Sequence, residues 1–358
     1  MNNKVAKRAL PQSRRVAGKS INNITDKFRN LLVIRFSSIG DIVLTNSVLE
    51  KIDEKYPNAK VDYLTKKIYS PIVKFHPIVD KVINLEEYKS LSELRNKIKN
   101  SNYDLIIDLH NSLRSKFITF GLKNVKRYKK HKFQRYLLTK FKFKIGEYLH
   151  VTEKYLNAIG ERQKTKSLKI FLPNESIIGN KVKKRFAELK KNRRVLGISV
   201  GASKPSKMFP IHKWIEVLNS VGEKFDLIVF LGNGTIENEM TDKIEQKLNF
   251  KTMNLCSKLT ISELLLFVNE LDVFIGNDSG ISHISAGLGV DTIAIFGQTV
   301  PEYGFTPVGN VEIIEPKIDL KCRPCGHLGY NECPKKHHKC MEEISIEKIV
   351  NKIEKYNL

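Results

Sequence analysis

Short apolar runs of strand character alternate with helical patterns along almost the whole chain, and the alternation occurs twice. In the first half LLVIRF leads into IVLTNSVLEKIDEKY, AKVDYLT precedes a helical stretch near 68–75, KVINL follows, and a Lys-rich amphipathic segment (90–100) precedes YDLIIDLH. In the second half RVLGISV, HKWIEVLNSVGE, DLIVFLG, IENEMTDKIEQKL, ISELLLFVNE, DVFIGN, ISHISAGLG and DTIAIFG repeat the pattern. Strands this short, spaced by helices, build βα units and a parallel sheet. With 358 residues the chain is too long for one ordinary domain, so the pattern predicts two doubly wound α/β domains facing a central cleft. The expected division is a basic flexible leader (1–30), an N-terminal domain (31–165), a C-terminal domain (166–341) and a terminal helix (342–358). Residues 160–192, polar and weakly patterned, are the linker candidate.

The formal net charge is +24, which suits acidic partners such as nucleic acid, anionic lipid head groups or phosphorylated substrates. No apolar stretch reaches the roughly 18 residues of a membrane span, and the leader lacks the apolar core of a secretory signal. Five cysteines in so long a chain do not read as a disulfide scaffold, so a reducing cytoplasm is the working assumption. Four of them form C-x2-C-x7-C-x6-C (Cys322, Cys325, Cys333, Cys340). Four thiolates are able to hold zinc tetrahedrally, although this spacing matches no familiar zinc pattern; free thiols or an incidental disulfide are the alternatives.

Candidate site residues fall at strand ends. DVFIGNDSGISHISAGLG (272–289) is a strand, a tight Asp278-Ser279-Gly280 turn and a small-residue helix whose free N–H groups suit an anion. Gly280 permits close approach of a phosphate, Ser279 and Ser282 add hydroxyls, and His283 stands in the first turn. A capped helix with nothing bound is the alternative. SVGASKPSKMFP supplies a small-residue loop with Ser203 and Lys207, suited to a diphosphate. In LGNGTIENE, Glu237 is placed to accept ribose hydroxyl protons, and it stands where the dinucleotide fingerprint needs its third glycine, which counts against a nicotinamide dehydrogenase. In the first half, Asp41 of RFSSIGDIVLT is either a helix cap or a chemical group. YDLIIDLHNSLRS ends a strand in Asp, His and Asn, with Arg114 just after. The tract 123–145 has ten Lys/Arg and no acid, interleaved with Tyr128, Phe133, Tyr136, Phe141 and Phe143; it would grip nucleic acid or lie on an anionic bilayer, or it is a solvated basic helix.

Taken in order, RFSSIGDIVLTNSVL, YDLIIDLHNSLRS, HVTEKYLNAIG, GASKPSKMFP, GNDSGISHISAGLG and IFGQTVPEYGFTPVG resemble glycosyltransferase family 9, the ADP-heptose:lipopolysaccharide heptosyltransferases. The resemblance implies a GT-B fold of two Rossmann-like domains, with the acceptor on the first and the nucleotide-sugar on the second. It implies inverting transfer of a sugar, typically heptose from ADP-heptose, onto the lipopolysaccharide core at the cytoplasmic face of the membrane, with no catalytic metal. It also implies a terminal helix packed back on the N-terminal domain. By position Asp41 matches the general base and Asp278 the acid near the sugar hydroxyls. Ser279, Gly280 and His283 match the diphosphate turn, Ser203 and Lys207 further phosphate contacts, and Glu237 an acid near the nucleoside. Arg114, Lys129, Lys130, Lys132 and Arg135 fall where an anionic, lipid-linked acceptor approaches. Ser47 replaces a frequent proline, and Met208-Phe209 stand where tryptophan is common after the phosphate lysine. Another nucleotide-sugar GT-B enzyme, such as an epimerase, is the main alternative; a nucleic-acid-binding reading finds no supporting motif.

Overall fold

A computed structural model describes residues 28–192 and 194–356, so most of the expected leader lies outside the described residues. The N-terminal sheet has five parallel strands: β1 (Asn30–Ile34), β2 (Lys60–Thr65), β3 (Val79–Asn84), β4 (Leu105–Asp108) and β5 (Val125–Arg127), in the order β3-β2-β1-β4-β5. The C-terminal sheet has six: β6 (Val195–Ser199), β7 (Leu227–Phe230), β8 (Thr252–Asn254), β9 (Val273–Asn277), β10 (Asp291–Ile295) and β11 (Val311–Ile314), in the order β11-β10-β9-β6-β7-β8. Central strands such as LLVI and VFIGN are buried along their length because helices cover both faces, which is why they read as continuous apolar runs. In each sheet the strand order reverses beside a central strand, β1 and β4 in the first and β6 and β9 in the second. The chain therefore leaves a crevice at the carboxyl ends of those strands.

Three expectations need correction. The single helix expected over 42–56 is two, Ile39–Leu44 and Asn46–Lys55. At the break, Thr45 Oγ1 donates to the Ile42 carbonyl at 2.7 Å and so accepts from Tyr63 Oη, also at 2.7 Å. The linker is shorter than 160–192: Asn180–Lys191 is a helix that buries Val182, Phe186 and Leu189, a 3.6-period stripe hidden among lysines. Phe186 stacks on Phe267, 4.9 Å between ring centres, which fixes that helix to the C-terminal domain. The terminal helix, Ile346–Glu354, does not return to the N-terminal domain. It buries Ile349 and Ile353 in the same cluster as Trp214, Val217 and Ile314, against the Ile211–Val221 helix and β11.

The two domains meet through side chains, not only through the linker. One cluster of buried apolar residues runs from Val33, Val43 and Val48 through Ile170 and Ile284 to Leu227 and Phe267. Among the described residues no helix is long and apolar enough to cross a membrane.

Candidate active site

The first glycine-aspartate pair sits where β1 ends. Ser38 caps the Ile39–Leu44 helix, making Asp41 its third residue. Its carboxylate reaches back to the cap, accepting from the Ser38 backbone N–H at 3.2 Å and from Ser38 Oγ at 2.8 Å. The other oxygen is gripped by Arg35 Nη2 at 2.6 Å and accepts from Tyr155 Oη at 3.4 Å. Asp41 is thus a cap and an ion-pair partner at once, and its side chain still keeps 17% of its surface exposed. Burial works to raise its carboxyl pKa, but the Arg35 guanidinium and the Ser38 hydrogen bonds outweigh it, leaving the group below the ordinary carboxylate range.

Arg35 is the organiser here, and sequence reasoning missed it. It follows the buried run LLVI directly and is itself 7% exposed. Nε donates to the Ser37 carbonyl (2.7 Å) and Nη1 to the Leu109 carbonyl (2.6 Å), so it ties the end of β1 to the loop after β4. A charged residue terminating a fully buried strand was the available signal. Tyr128, counted among the aromatics of the basic tract, turns inward and stacks edge-on against Tyr155, 4.9 Å between centres.

The second turn is built by Asn277, another residue that went unselected. Its side chain accepts from the Phe209 N–H at 3.0 Å and donates to the Val200 carbonyl at 2.8 Å, fastening the 200–209 loop to the end of β9. That loop delivers Lys207, 7% exposed, to Asp278: Nζ lies 2.5 Å from Oδ2, which also accepts from Thr299 Oγ1 at 2.8 Å. Ser279 caps the Gly280–Gly287 helix, and Ser282 Oγ donates to the Asn277 carbonyl at 2.7 Å. Ser203 is exposed on the same loop. Glu237 packs over glycines at the ends of β6 and β7; a Cβ on Gly201 would stand 2.1 Å from Glu237 Cγ, so any larger residue there displaces the Glu237 side chain. Burial pushes the Glu237 carboxyl upward.

The two turns touch. A Cβ on Gly40 would lie 2.6 Å from His283 Cδ2, and a Cβ on Gly280 would lie 2.7 Å from Ile39 Cβ. Two glycines therefore let two helix starts abut across the domain interface, bringing Asp41, His283, Asp278 and Lys207 into one electrostatic neighbourhood. His283 is buried at this contact, its Nδ1 without a partner, and burial pulls its pKa down to about 4 against the pull of Asp278 and Asp41, so it is neutral near pH 7.

On the acceptor side the residues separate. Lys130 is half-buried 6.0 Å over the Tyr128 ring, and burial and the field of Arg35 hold its pKa down. Arg114 stands exposed in the first turn of Leu113–Ile118, and Lys129 and Lys132 are exposed; Arg135 is half-buried on Lys132–Phe141. His110 was not selected: it stacks on Phe36 at 4.5 Å, and burial, with Arg35, pulls its pKa to about 4.

Cys322, Cys325 and Cys333 lie near enough to Cys340 to act on its thiol, but among the described residues the expected zinc site is not seen formed. Among the described residues no three His, Cys, Asp or Glu side chains are placed to share a metal ion. Cys322 Sγ lies 3.7 Å from His337 Nε2, whereas Cys340 sinks into the C-terminal core with Met341 and Ile344, where burial pushes its thiol up to about 12. The segment instead braces the phosphate-side loop. Tyr330 N–H donates to Ser206 Oγ at 2.8 Å and His338 Nε2 to the Ser206 carbonyl at 3.1 Å. Arg323 donates to the carbonyls of Phe296 (3.0 Å) and Thr299 (2.9 Å).

Comparison with known proteins agrees with this geometry. The model of glycosyltransferase family 9 (heptosyltransferase) matches residues 91–335. Lipooligosaccharide heptosyltransferase 2 of Campylobacter jejuni is 31% identical over 327 residues, covering 87% of this chain and 93% of the relative. The fold is shared with a family 9 glycosyl transferase from Veillonella parvula (TM-score 0.72, 19% identity, 94% of this chain and 99% of that one). It is shared also with E. coli ADP-heptose lps heptosyltransferase II (TM-score 0.68, 18% identity, 91% and 98%). A family match over more than half the chain, joined to near end-to-end likeness to a heptosyltransferase, establishes that this protein belongs to glycosyltransferase family 9 and is a GT-B, nucleotide-sugar-dependent glycosyltransferase.

Proposed function

We propose that this enzyme transfers heptose from ADP-heptose, with inversion, to the inner core of lipopolysaccharide. The observation that carries the reading is the abutment of the Asp41 turn on the Gly280 turn, which sets a carboxylate in one domain against an anion-binding helix start in the other. Asp41, kept ionised by Arg35, takes the proton of the acceptor hydroxyl as its oxygen bonds to the anomeric carbon. The bond from that carbon to the diphosphate breaks, and the charge left on the diphosphate meets Lys207, Ser203 and the N–H groups around Ser279 and Gly280. Neutral His283 donates a hydrogen bond rather than a charge, Asp278 faces the sugar hydroxyls, and Glu237 faces the nucleoside.

Arg114, Lys129, Lys130, Lys132 and Arg135 receive the anionic acceptor. Beside them Phe133, Phe141 and Phe143 are 69%, 66% and 60% exposed among lysines. Aromatic side chains in that setting suit peripheral contact with an anionic membrane at its cytoplasmic face. The test is Asp41→Asn: turnover falls about 100-fold or more while ADP-heptose affinity is nearly kept. Turnover close to wild type removes Asp41 as the base, and failure of ADP-heptose to raise the melting temperature removes the donor assignment.

A further inference from the structure

β4 ends in a polar turn, Asp108 to Ser112, beside the strand that leads to Asp41. The pairing of β4 with β1 falls where the first sheet reverses its strand order, and Asp108 stands opposite Ile34. Two residues further along both strands, His110 meets Phe36, with 4.5 Å between ring centres. The chain after Phe36 runs straight into the Asp41 turn. His110 and Asp41 therefore leave neighbouring strands at the same end of the sheet, where open α/β sheets bind their ligands.

That turn is fastened at several points. Asp108 Oδ1 accepts from the backbone N–H groups of His110 (3.1 Å) and Asn111 (2.7 Å). Asn111, in the left-handed backbone region that asparagine tolerates, donates from Nδ2 to the Tyr128 carbonyl at 2.9 Å. Arg35 holds the Leu109 carbonyl with Nη1 and Asp41 with Nη2, so one guanidinium sets the spacing of both groups. His110 itself is half-buried. Its Nδ1 is enclosed without a partner among the described residues, whereas Nε2 keeps contact with solvent. Burial, together with Arg35, Lys130 and Arg114, keeps the ring neutral against the pull of Asp41. An orphaned buried N–H is rarer than an orphaned acceptor, so the single ring proton is assigned to Nε2, where it is a donor on the accessible edge.

We propose that His110 is a further substrate-contacting residue of the transfer reaction: its Nε2–H donates to the attacking hydroxyl of the acceptor sugar and turns that hydroxyl's proton toward Asp41. The inference rests on the proposed role of Asp41 as base. The electron count suits a hydroxyl. One lone pair of the oxygen accepts from His110, and the second forms the bond to the anomeric carbon. The proton passes to Asp41, and the diphosphate leaves with the electrons of the broken bond. A neutral ring serves here because a histidinium would pair with Asp41 and occupy the oxygens that must take the proton. This role concerns a hydroxyl and its direction, and it is distinct from the charge that the neighbouring basic residues offer.

The test compares His110→Phe with His110→Gln in the full chain. Phenylalanine keeps a ring against Phe36 and loses the donor; glutamine loses the ring and puts an N–H close to the place of Nε2. In His110→Phe, kcat falls roughly 10- to 100-fold while the melting temperature stays within about 2 °C of wild type and ADP affinity, measured by calorimetry, is unchanged. In His110→Gln, kcat stays within about fivefold of wild type although the lost ring contact lowers the melting temperature. A packing role alone gives the opposite order, with the Phe variant active and the Gln variant impaired. Any outcome in which the Gln variant does not turn over at least about fivefold faster than the Phe variant overturns the proposal. The proposed function fails separately. Transfer from ADP-heptose that survives His110→Phe refutes the role of His110 and leaves that function standing. A wild type that transfers only from a different nucleotide-sugar refutes the heptose assignment, and the order of the two variants is then read with that donor.

Discussion

Substituting Gly40 by alanine tests the domain contact directly. The added methyl would lie 2.6 Å from His283 Cδ2, 2.9 Å from Nε2 and 3.1 Å from Cγ, where ordinary contact begins at 3.4 Å. The imidazole cannot swing aside cheaply, since His283 is buried on a helix whose first turn is tied to Asn277. Relief therefore requires the two helix starts to separate by roughly 1 Å, with an overpacking cost of about 1–3 kcal/mol. The larger effect is on rate, because Asp41 is the next residue and moves with its helix. A misplacement of about 1 Å between reacting groups costs on the order of 100-fold. The expected result is a folded variant whose kcat falls about 100-fold while its ADP-heptose Kd, measured by calorimetry, changes little. His283→Ala in the same chain removes the atoms the methyl meets, so the double variant should lose less than the product of the single effects. A well-folded Gly40→Ala enzyme with kcat within threefold of wild type would show that the abutment is not the geometry in which transfer occurs.

Two further outcomes concern the surface and the core. Replacing Phe133, Phe141 and Phe143 by serine should release the protein from vesicles containing anionic lipid without altering turnover on a soluble acceptor. Raising the salt from roughly 0.1 to 0.5 M should weaken wild-type binding in a vesicle co-sedimentation assay; equal binding by the variant refutes the membrane role. Acid stability follows from His76 and His283, each buried with a pKa pulled to about 4. Between there and the ordinary value near 6.5 only the unfolded chain takes up their protons. Stability is therefore full above pH 6.5 and falls toward pH 4, by up to about 1.4 kcal/mol per pH unit for each histidine. Urea midpoints at pH 7.5 and 5.5 check this; identical midpoints would contradict it.

The sequence made the two sheets legible because parallel strands covered on both faces are written as unbroken apolar runs, and LLVI and VFIGN need no partner to be recognised. Asp41 and the Asp278-Ser279-Gly280 turn were legible for the same local reason: each stands at a strand end, followed at once by a helix. What stayed hidden is pairing at a distance. Arg35 became meaningful only when its guanidinium was seen to join Asp41 to the Leu109 carbonyl, 74 residues on. The terminal helix announces an apolar stripe but not the surface that will cover it. The Asn180–Lys191 helix looked like linker because eight of its twelve residues are charged or polar and its three core contacts are spaced a turn apart. Cysteine spacing suggested a metal knuckle, but it gave no sign that Cys340 also packs into the C-terminal core.

Because the terminal helix stays with its own sheet, the described chain passes from one domain to the other only once, through the exposed 160–167 region. The tether is slight, whereas the surface joining the domains is continuous with the core on both sides. Covalent continuity and cohesion are thus carried by different parts of the molecule. A chain cut within 160–167 would lose its tether but keep the buried contact, so its halves, made separately, are suited to recognise each other and rebuild the catalytic cleft as a split enzyme.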